Sequence, residues 1–445
     1  MKRLGLFALL TFGLLAAPVR AAEPAPKFPL KEGDIWVMAG DSITAQHLHS
    51  NYFEAFCFAR YPELNFAFRN SGVGGHTIPS TVARFDYDIA AWKPTVVSVE
   101  LGMNDQGGTP TEAFIKNMGA MTERIRGIKA RPVILSASPI NNGETMAKLG
   151  NSNKRLSEYA DQLKVFSAKE EIPYADQFHA LIDIWGKNKP REKLANAYAT
   201  VRPLAADKTL PGVEHLQEFI AVGDKLSPPP VTMQGDPVHP GAPGQLMMAA
   251  ALLKRLGASG KVSTVAINAT GEGDFDGCKV TNLKTEANRV SFDRLDECLP
   301  FPIPYDARSV LSMAPEVAAL SQYTLKVAGL KDGQYRLSIN GARCANVSTK
   351  QLAEGVNLTT LGFEEGLKAG NPIVLQMQAV LAAVGAKEAI VGGWRGLSQR
   401  AHAKGADPKL MDELALLTKK VEDADAKIRA AAKPKTLHFA IEPVK

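Results

Sequence analysis

Four short segments between residues 40 and 239 hold the groups that serine-based ester hydrolysis requires: Gly40-Asp41-Ser42, Asn70 with Gly75, Gly102-Met103-Asn104-Asp105, and Asp236-Pro237-Val238-His239. A serine hydroxyl is a poor nucleophile at neutral pH; it needs an imidazole to take its proton and a carboxylate to orient that imidazole. Ser42, His239 and Asp236 are of the right types for those roles. The attacked carbonyl oxygen becomes an oxyanion. Its candidate donors are the backbone N–H groups of Ser42 and Gly75 and the side-chain amide of Asn104, each worth roughly 3 kcal/mol of transition-state stabilisation.

Each piece alone has a plainer explanation. Gly-Asp-Ser is a common turn, and a run such as Gly72-Val73-Gly74-Gly75 often only lets backbones approach closely. An Asp three residues before a His can be a surface turn or a metal ligand. Four segments in one order, each completing the others chemically, point to catalysis instead. Asp41 and Asp105 adjoin the candidates and read as turn residues that bind backbone amides. His47 and His49 are two positions apart, so on a helix they face different ways and do not share a metal. His76, next to Gly75, is a possible substrate contact or a plain loop histidine.

The surrounding pattern supplies a scaffold. The apolar run Ile35-Trp36-Val37-Met38-Ala39 stops at Gly40, and residues 45–60 form a helical candidate, so Ser42 is expected at a strand's carboxyl end and near a helix N-terminus. Strand-like runs at 66–68, 95–101, 132–136 and 172–176 alternate with helical stretches at 111–128 and 153–169. Such alternation predicts a parallel sheet covered on both faces, with Asn104 at the same edge as Ser42. Residues 180–235 break the rhythm with a basic cluster at 187–193 and Ser227-Pro228-Pro229-Pro230; they are either a rim or lid of the site or a surface excursion. Residues 241–256 are helical and close this unit.

Beyond residue 261 the texture changes to short β-like runs at 262–267, 279–283, 290–292, 323–327 and 335–339. Asp332-Gly333 predicts a hairpin between the last two. Residues 364–432 are helical in period and precede a strand-like 436–441, which predicts a sandwich-like β layer with inserted helices and a returning last strand.

The chain has 445 residues, 22% charged and 45% hydrophobic, which excludes a disordered or collagen-like protein and suggests two domains. Met1-Lys2-Arg3, an apolar run over residues 4–17 and Val19-Arg20-Ala21 resemble a secretory signal cleaved after Ala21 or Ala22. The run is too short for a membrane span, and no stable membrane insertion is expected elsewhere. Cleavage removes three cations and no acid, taking the formal charge from +6 to +3. Without a basic stripe and interleaved aromatics there is no nucleic-acid footprint. An exported chain would carry Cys57, Cys278, Cys298 and Cys344 into an oxidising compartment. One C-terminal disulfide is then expected, Cys278–Cys298 before Cys298–Cys344, with Cys57 a buried thiol. Neither a metal nor another cofactor is indicated.

Taken together, Gly40-Asp41-Ser42-Ile43-Thr44, Asn70-Ser71-Gly72-Val73-Gly74-Gly75, Gly102-Met103-Asn104-Asp105 and Asp236-Pro237-Val238-His239-Pro240 resemble the four blocks of the SGNH or GDSL hydrolases. The resemblance covers about residues 33–257. It implies a flavodoxin-like α/β fold, three layers about a parallel sheet, with Ser42 as nucleophile, Gly75 and Asn104 in the oxyanion hole, Asp236 as orienting acid and His239 as base. The stretches Gly333-Gln334-Tyr335-Arg336-Leu337-Ser338-Ile339-Asn340-Gly341 and Leu352-Ala353-Glu354-Gly355-Val356-Asn357-Leu358 resemble, less specifically, the distal region of multi-domain bacterial SGNH proteins.

The expected organisation is therefore a signal peptide at 1–21, a hydrolase domain at 28–258 and a β-rich domain at 261–445. The expected activity is removal of a small acyl group, acetyl above all, from a carbohydrate outside the cytoplasm. Two alternatives stand beside it: a lipase- or thioesterase-like hydrolase, and a non-catalytic carbohydrate-binding or scaffold protein. For a sugar-binding role of the C-terminal half, Trp185 and Trp394 are the stacking candidates, against a packing or oligomerisation role.

Overall fold

A computed structural model describes residues 27–226, 230–286, 288–361 and 370–444. The expected signal segment, 1–21, lies outside the described residues.

Five parallel strands form the first sheet: β1 (Ile35–Gly40), β2 (Ala67–Gly72), β3 (Val96–Glu100), β4 (Arg131–Leu135) and β5 (Tyr174–Ala175), in the order β2-β1-β3-β4-β5. Their near-continuous burial follows from cover on both faces. Side chains alternate between two cores: Trp36 and Met38 join one, Val37 and Ala39 the other. This is the expected α/β fold, with further β-rich sheets in the C-terminal region.

The turn after β1 differs from expectation. A short helix, Ser42–Ala45, comes first, and the long helix begins only at His49 and runs to Arg60. Ser42 therefore stands at the N-terminus of the short helix and not of the long one. The short turn fits because Gly40 and Gly72 lack side chains: a Cβ on Gly40 would overlap the Thr44 side chain, and one on Gly72 the Ala45 backbone.

The C-terminal strands form two sheets. One has the order β13-β10-β6-β7 and contains β6 (Lys261–Asn268), β7 (Gly273–Asp276), β10 (Gln322–Ala328) and β13 (Val356–Asn357). The other, β12-β11-β14-β9-β8, contains β8 (Cys278–Glu286), β9 (Arg289–Asp296), β11 (Gln334–Ile339), β12 (Ala342–Ser348) and β14 (Leu437–Pro443). The expected hairpin across Asp332-Gly333 is absent: β10 runs parallel to β6 in one sheet, and β11 lies in the other. That turn signal marks a crossing between layers. The hairpin partner of β11 is β12, joined by Asn340-Gly341 at φ 48° and 80°, both left-handed as a tight two-residue hairpin turn requires. The last strand does return, and it lies centrally between β11 and β9.

All four cysteines are free thiols. The expected Cys278–Cys298 bridge does not form because the two sulfurs lie along β6, near the carbonyls of Thr264 (3.7 Å) and Val262 (3.9 Å), instead of facing each other.

The helical segment packs elsewhere than expected. Its helices, Pro372–Ala401 and Lys409–Ala432, form a hairpin that lies against the His49–Arg60 helix and β2 and adds side chains to both cores of the first sheet. By length and composition alone Pro372–Ala401 could cross a membrane, but here its Val391, Trp394 and Leu397 pack into one of these cores. Trp394 stacks on Trp92 with centroids 3.5 Å apart and is 1% exposed, as is Trp185, so neither can stack on a sugar. Buried ion pairs bind the hairpin to the sheet: Arg69 reaches both oxygens of Asp425 at 3.1 and 2.7 Å, and Lys387 reaches both oxygens of Glu54 at 2.7 Å, Glu388 at 2.6 Å and the Phe68 carbonyl at 2.9 Å.

Removing one partner from such a cluster strands the rest without water. Lys387→Ala, which leaves two carboxylates buried, is expected to lower the unfolding free energy by about 3–5 kcal/mol. Urea denaturation measures this; a loss below about 1 kcal/mol would show that the carboxylates find other partners.

Candidate active site

β1, β2 and β3 end together, so the residues that follow them converge at one sheet edge. Ser42 follows β1 and occupies the first helical position, where its N–H has no acceptor within the helix. Asp41 caps that turn, its Oδ1 accepting from the Ile43 N–H at 2.9 Å. Gly74 and Gly75 follow β2 and are exposed; Gly75 has φ 74°, which glycine adopts without strain. A Cβ on Gly74 would lie 3.9 Å from the Ser42 Cβ, which places this loop beside the hydroxyl.

His239 arrives from residue 239 and brings its own carboxylate. Its Nε2 lies 2.8 Å from Ser42 Oγ, and its Nδ1 lies 3.0 Å from Asp236 Oδ2. Asp236 Oδ1 accepts the backbone N–H groups of Val238 (2.7 Å) and His239 (2.8 Å). The His239 backbone N–H, then its ring, hold the Asp236 carboxyl below the usual carboxylate range although burial opposes them. Asp236 therefore stays ionised and acceptor-only, which leaves the proton on His239 Nδ1 and the lone pair on Nε2 facing the hydroxyl.

Asn104 stands at the same edge. Its Nδ2 donates to the His76 carbonyl at 3.1 Å and to Asp41 Oδ2 at 3.4 Å. The second contact is the longer of the two. The His76 ring accepts from Arg84 Nε through Nδ1 at 3.2 Å. Asp105, unlike Asp41, accepts from a distant amide, the Ile78 N–H at 3.3 Å, and so ties its loop to the start of the Ile78–Ala83 helix. His47 and His49 take different partners, Glu388 at 3.1 Å and Glu100 at 2.9 Å, but not for the helical reason expected: His47 lies between two helices with φ 57°. Among the described residues no group of three or more His, Cys, Asp or Glu side chains is arranged to hold a metal.

The segment at 180–235 braces the site. In the long helix Gln177–Ala206, Asn188 donates to the Val231 carbonyl at 2.8 Å, and Glu192 accepts from the Met233 N–H at 2.9 Å. Both hold the loop that carries Asp236 and His239. Asn141 N–H adds a bond to the Pro237 carbonyl at 2.8 Å.

Several supporting residues escaped the sequence reading. Gln245, fully buried in the Ala242–Arg255 helix, donates to the Pro240 carbonyl at 2.9 Å and accepts from His49 Nδ1 at 3.0 Å. Burial alone would lower the His49 pKa, but the Glu100 carboxylate and the Gln245 carbonyl together raise it. Gln245 lies five positions past Pro240 and could have been found only by asking what faces the loop from the next helix.

A second serine–histidine–aspartate contact shows what sets Ser42 apart. His179 lies 3.1 Å from Ser157 Oγ and 2.7 Å from Asp176 Oδ2. Ser157, however, lies in the middle of the Asn151–Lys169 helix, where its backbone N–H is used by the helix. Asp176 is the N-cap of the next helix, which gives this trio a structural task.

The fold and the site define an ester hydrolase built on a three-layer α/β sheet. Residues 38–247 match the GDSL-like Lipase/Acylhydrolase family, and this part of the chain is a GDSL-type hydrolase domain. An acetylxylan esterase of Geobacillus stearothermophilus is 31% identical over 85 residues, 19% of this chain and 38% of that protein, so the match spans well under half of that relative. Among solved structures, a gut microbial diltiazem-metabolizing enzyme superposes with TM-score 0.71 at 21% identity, covering 94% of this chain and 100% of that one. It shares the fold. The acetylxylan esterase structure from Geobacillus stearothermophilus covers 51% of this chain and 95% of its own, with TM-score 0.36 and 18% identity.

Burial of Asp41 raises its carboxyl from 3.8 to about 7, against the pull of the Ile43 N–H. The folded chain therefore keeps a proton that the unfolded chain releases, so this group's contribution to stability falls as pH rises from about 4 to about 7. Asp41→Asn keeps the cap and removes the titration. The variant is expected to gain stability relative to wild type across that range, by up to about 4 kcal/mol, and so to melt progressively higher than wild type as pH rises. Thermal unfolding at pH 4, 5.5 and 7.5 checks it; a difference that does not change with pH would refute the assignment.

Proposed function

We propose that this chain is a serine esterase that removes a short acyl group, acetyl first among them, from a carbohydrate through an acyl-enzyme on Ser42. The observation that carries the reading is the continuous contact Asp236–His239–Ser42, at 3.0 and 2.8 Å, at the open edge of the sheet. Ser42 Oγ attacks the ester carbonyl as His239 Nε2 takes its proton. The oxyanion is received by the N–H groups of Ser42 and Gly75 and the Asn104 amide. His239 then protonates the departing alcohol, and water repeats the sequence on the acyl-serine.

A short acyl group on a bulky alcohol suits the exposure of the site. The Asp236 side chain is 60% exposed and that of His239 32%, which leaves room for a large alcohol above the triad. The partial likeness to an acetylxylan esterase supports a carbohydrate, as does the export-like segment at residues 1–21, which argues for a secreted or periplasmic protein. His76, beside Gly75, is placed to touch the alcohol portion of the substrate.

Ser42→Ala and His239→Ala are expected to lower turnover by several orders of magnitude without loss of fold, since each removes part of one concerted unit. Nitrophenyl ester hydrolysis beside circular dichroism measures both; wild-type turnover in either folded variant refutes the assignment. Asn104→Ala is expected to cost about a hundredfold in kcat. In a series of nitrophenyl esters, activity should fall steeply beyond acetate. A preference for long chains would replace this reading with a lipase- or thioesterase-like one.

A further inference from the structure

The C-terminal hairpin reaches the back of the site through Arg395, among other contacts. Arg395, in the Pro372–Ala401 helix, donates from Nε to Asp88 Oδ1 at 2.9 Å and from Nη2 to the Asn70 carbonyl at 3.1 Å. Asp88 is 1% exposed, and its other oxygen accepts from Ser71 Oγ at 2.8 Å and from Arg84. Arg84, 3% exposed, has every nitrogen engaged: Nη1 on Ser71 Oγ (2.6 Å) and Asp88, Nη2 on the carbonyls of Ser71 (2.8 Å) and Gly40 (3.3 Å), and Nε on the His76 ring (3.2 Å). Arginine only donates, so His76 Nδ1 must hold a lone pair and the ring is neutral with its proton on Nε2. His76 in turn offers its carbonyl to the Asn104 amide, and Gly75 precedes it.

Two guanidinium groups and one carboxylate therefore form a bracket behind the loop that supplies one of the three oxyanion donors, the Gly75 N–H, and holds a second, the Asn104 amide, through the His76 carbonyl. We propose that Arg395 is a positioning residue for ester hydrolysis: through Asp88 and Arg84 it fixes the Gly75–His76 loop, and with it the Gly75 N–H and the Asn104 amide. This rests on the esterase reading of the site. Without Arg395, Asp88 Oδ1 and the Asn70 carbonyl lose a charged donor in a buried setting, and Arg84 loses its fixed anchor. Misplacing an oxyanion donor weakens the transition state more than the bound substrate, so the loss belongs in kcat.

The plainer reading is that Arg395 only fastens the hairpin. Arg429 separates the two. It lies in the other helix of the same hairpin and donates to the Phe66 carbonyl at 2.7 Å, before the start of β2 and away from the 74–76 loop. The experiment compares Arg395→Ala, Arg395→Lys and Arg429→Ala by nitrophenyl acetate kinetics, melting temperature and amide hydrogen exchange of residues 73–77. Arg395→Ala is expected to lower kcat about 10- to 100-fold with KM within about twofold, and to speed exchange in 73–77. Arg395→Lys, which keeps a cation beside Asp88, should recover most of both. Arg429→Ala should lower melting temperature while leaving kcat and that exchange unchanged.

Unchanged exchange in Arg395→Ala, or an equal fall of kcat in Arg429→Ala, overturns the proposal. Should Arg395→Ala not fold, Arg395→Gln is read by the same criteria. A wild-type protein without Ser42-dependent turnover would defeat the esterase reading, while the exchange comparison would still decide whether Arg395 holds the loop.

Discussion

A hydroxyl and an imidazole 197 positions apart in the chain meet at 2.8 Å, and most of the first sheet's surroundings serve to keep them there. A hydrogen bond of this kind weakens steeply with misalignment, so both of its ends must be held by structure more rigid than a free loop. On one side the Ser42 turn settles onto β1 and β2 because Gly40 and Gly72 leave space for Thr44 and Ala45. The Asn70 side chain ties the Thr44 carbonyl at 2.8 Å and Ser50 Oγ at 2.9 Å. On the other side, the loop holding His239 is fixed by Gln245, Asn188, Glu192 and Asn141, drawn from three different places in the sequence.

Beneath both ends lies an uncommon amount of buried charge. His49 with Glu100, Arg84 and Arg395 with Asp88, Arg69 with Asp425, and Lys387 with Glu54 and Glu388 all lie within or against the first sheet. Ion pairs of this kind add little net stability over well-packed apolar groups, but their geometry is unforgiving, so they select one relative placement of the elements they join. That explains why the C-terminal helices sit on the hydrolase sheet and not on the β layers that precede them in sequence. The three pairs that cross from the hairpin to the sheet set its register over residues 387–425.

The residues of the candidate site were legible because its parts are local. Gly40-Asp41-Ser42, Asn104 and Asp236-x-x-His239 each carry their meaning within a few residues, and the strand-end placement follows from hydrophobic runs that stop at glycine. What was not legible depends on partners far away in the chain. Asp332-Gly333 and Asn340-Gly341 are equally good turn signals, and only the pairing of β10 with β6 decides which of them closes a hairpin. Trp394 looks in sequence like a free aromatic, and only the arrival of Trp92 shows it to be packing. Cys278 and Cys298 are twenty positions apart and suggested a bridge, but the register of β8 on β9 separates their sulfurs along β6. Arg84, Asp88 and Arg395 belong to no short motif, and no local pattern announces them.

The position of β14 has a consequence for biosynthesis. This strand fills the gap between β9 and β11, so the five-stranded sheet stays split into two pairs while everything up to residue 436 emerges from the ribosome. The helical hairpin that backs the edge bearing Ser42 lies just before it in the chain. A nascent chain can thus form the turn that carries Ser42 early, yet it gains the backing for that edge only once residues 372–432 are made, and the closure of this sheet only once β14 follows.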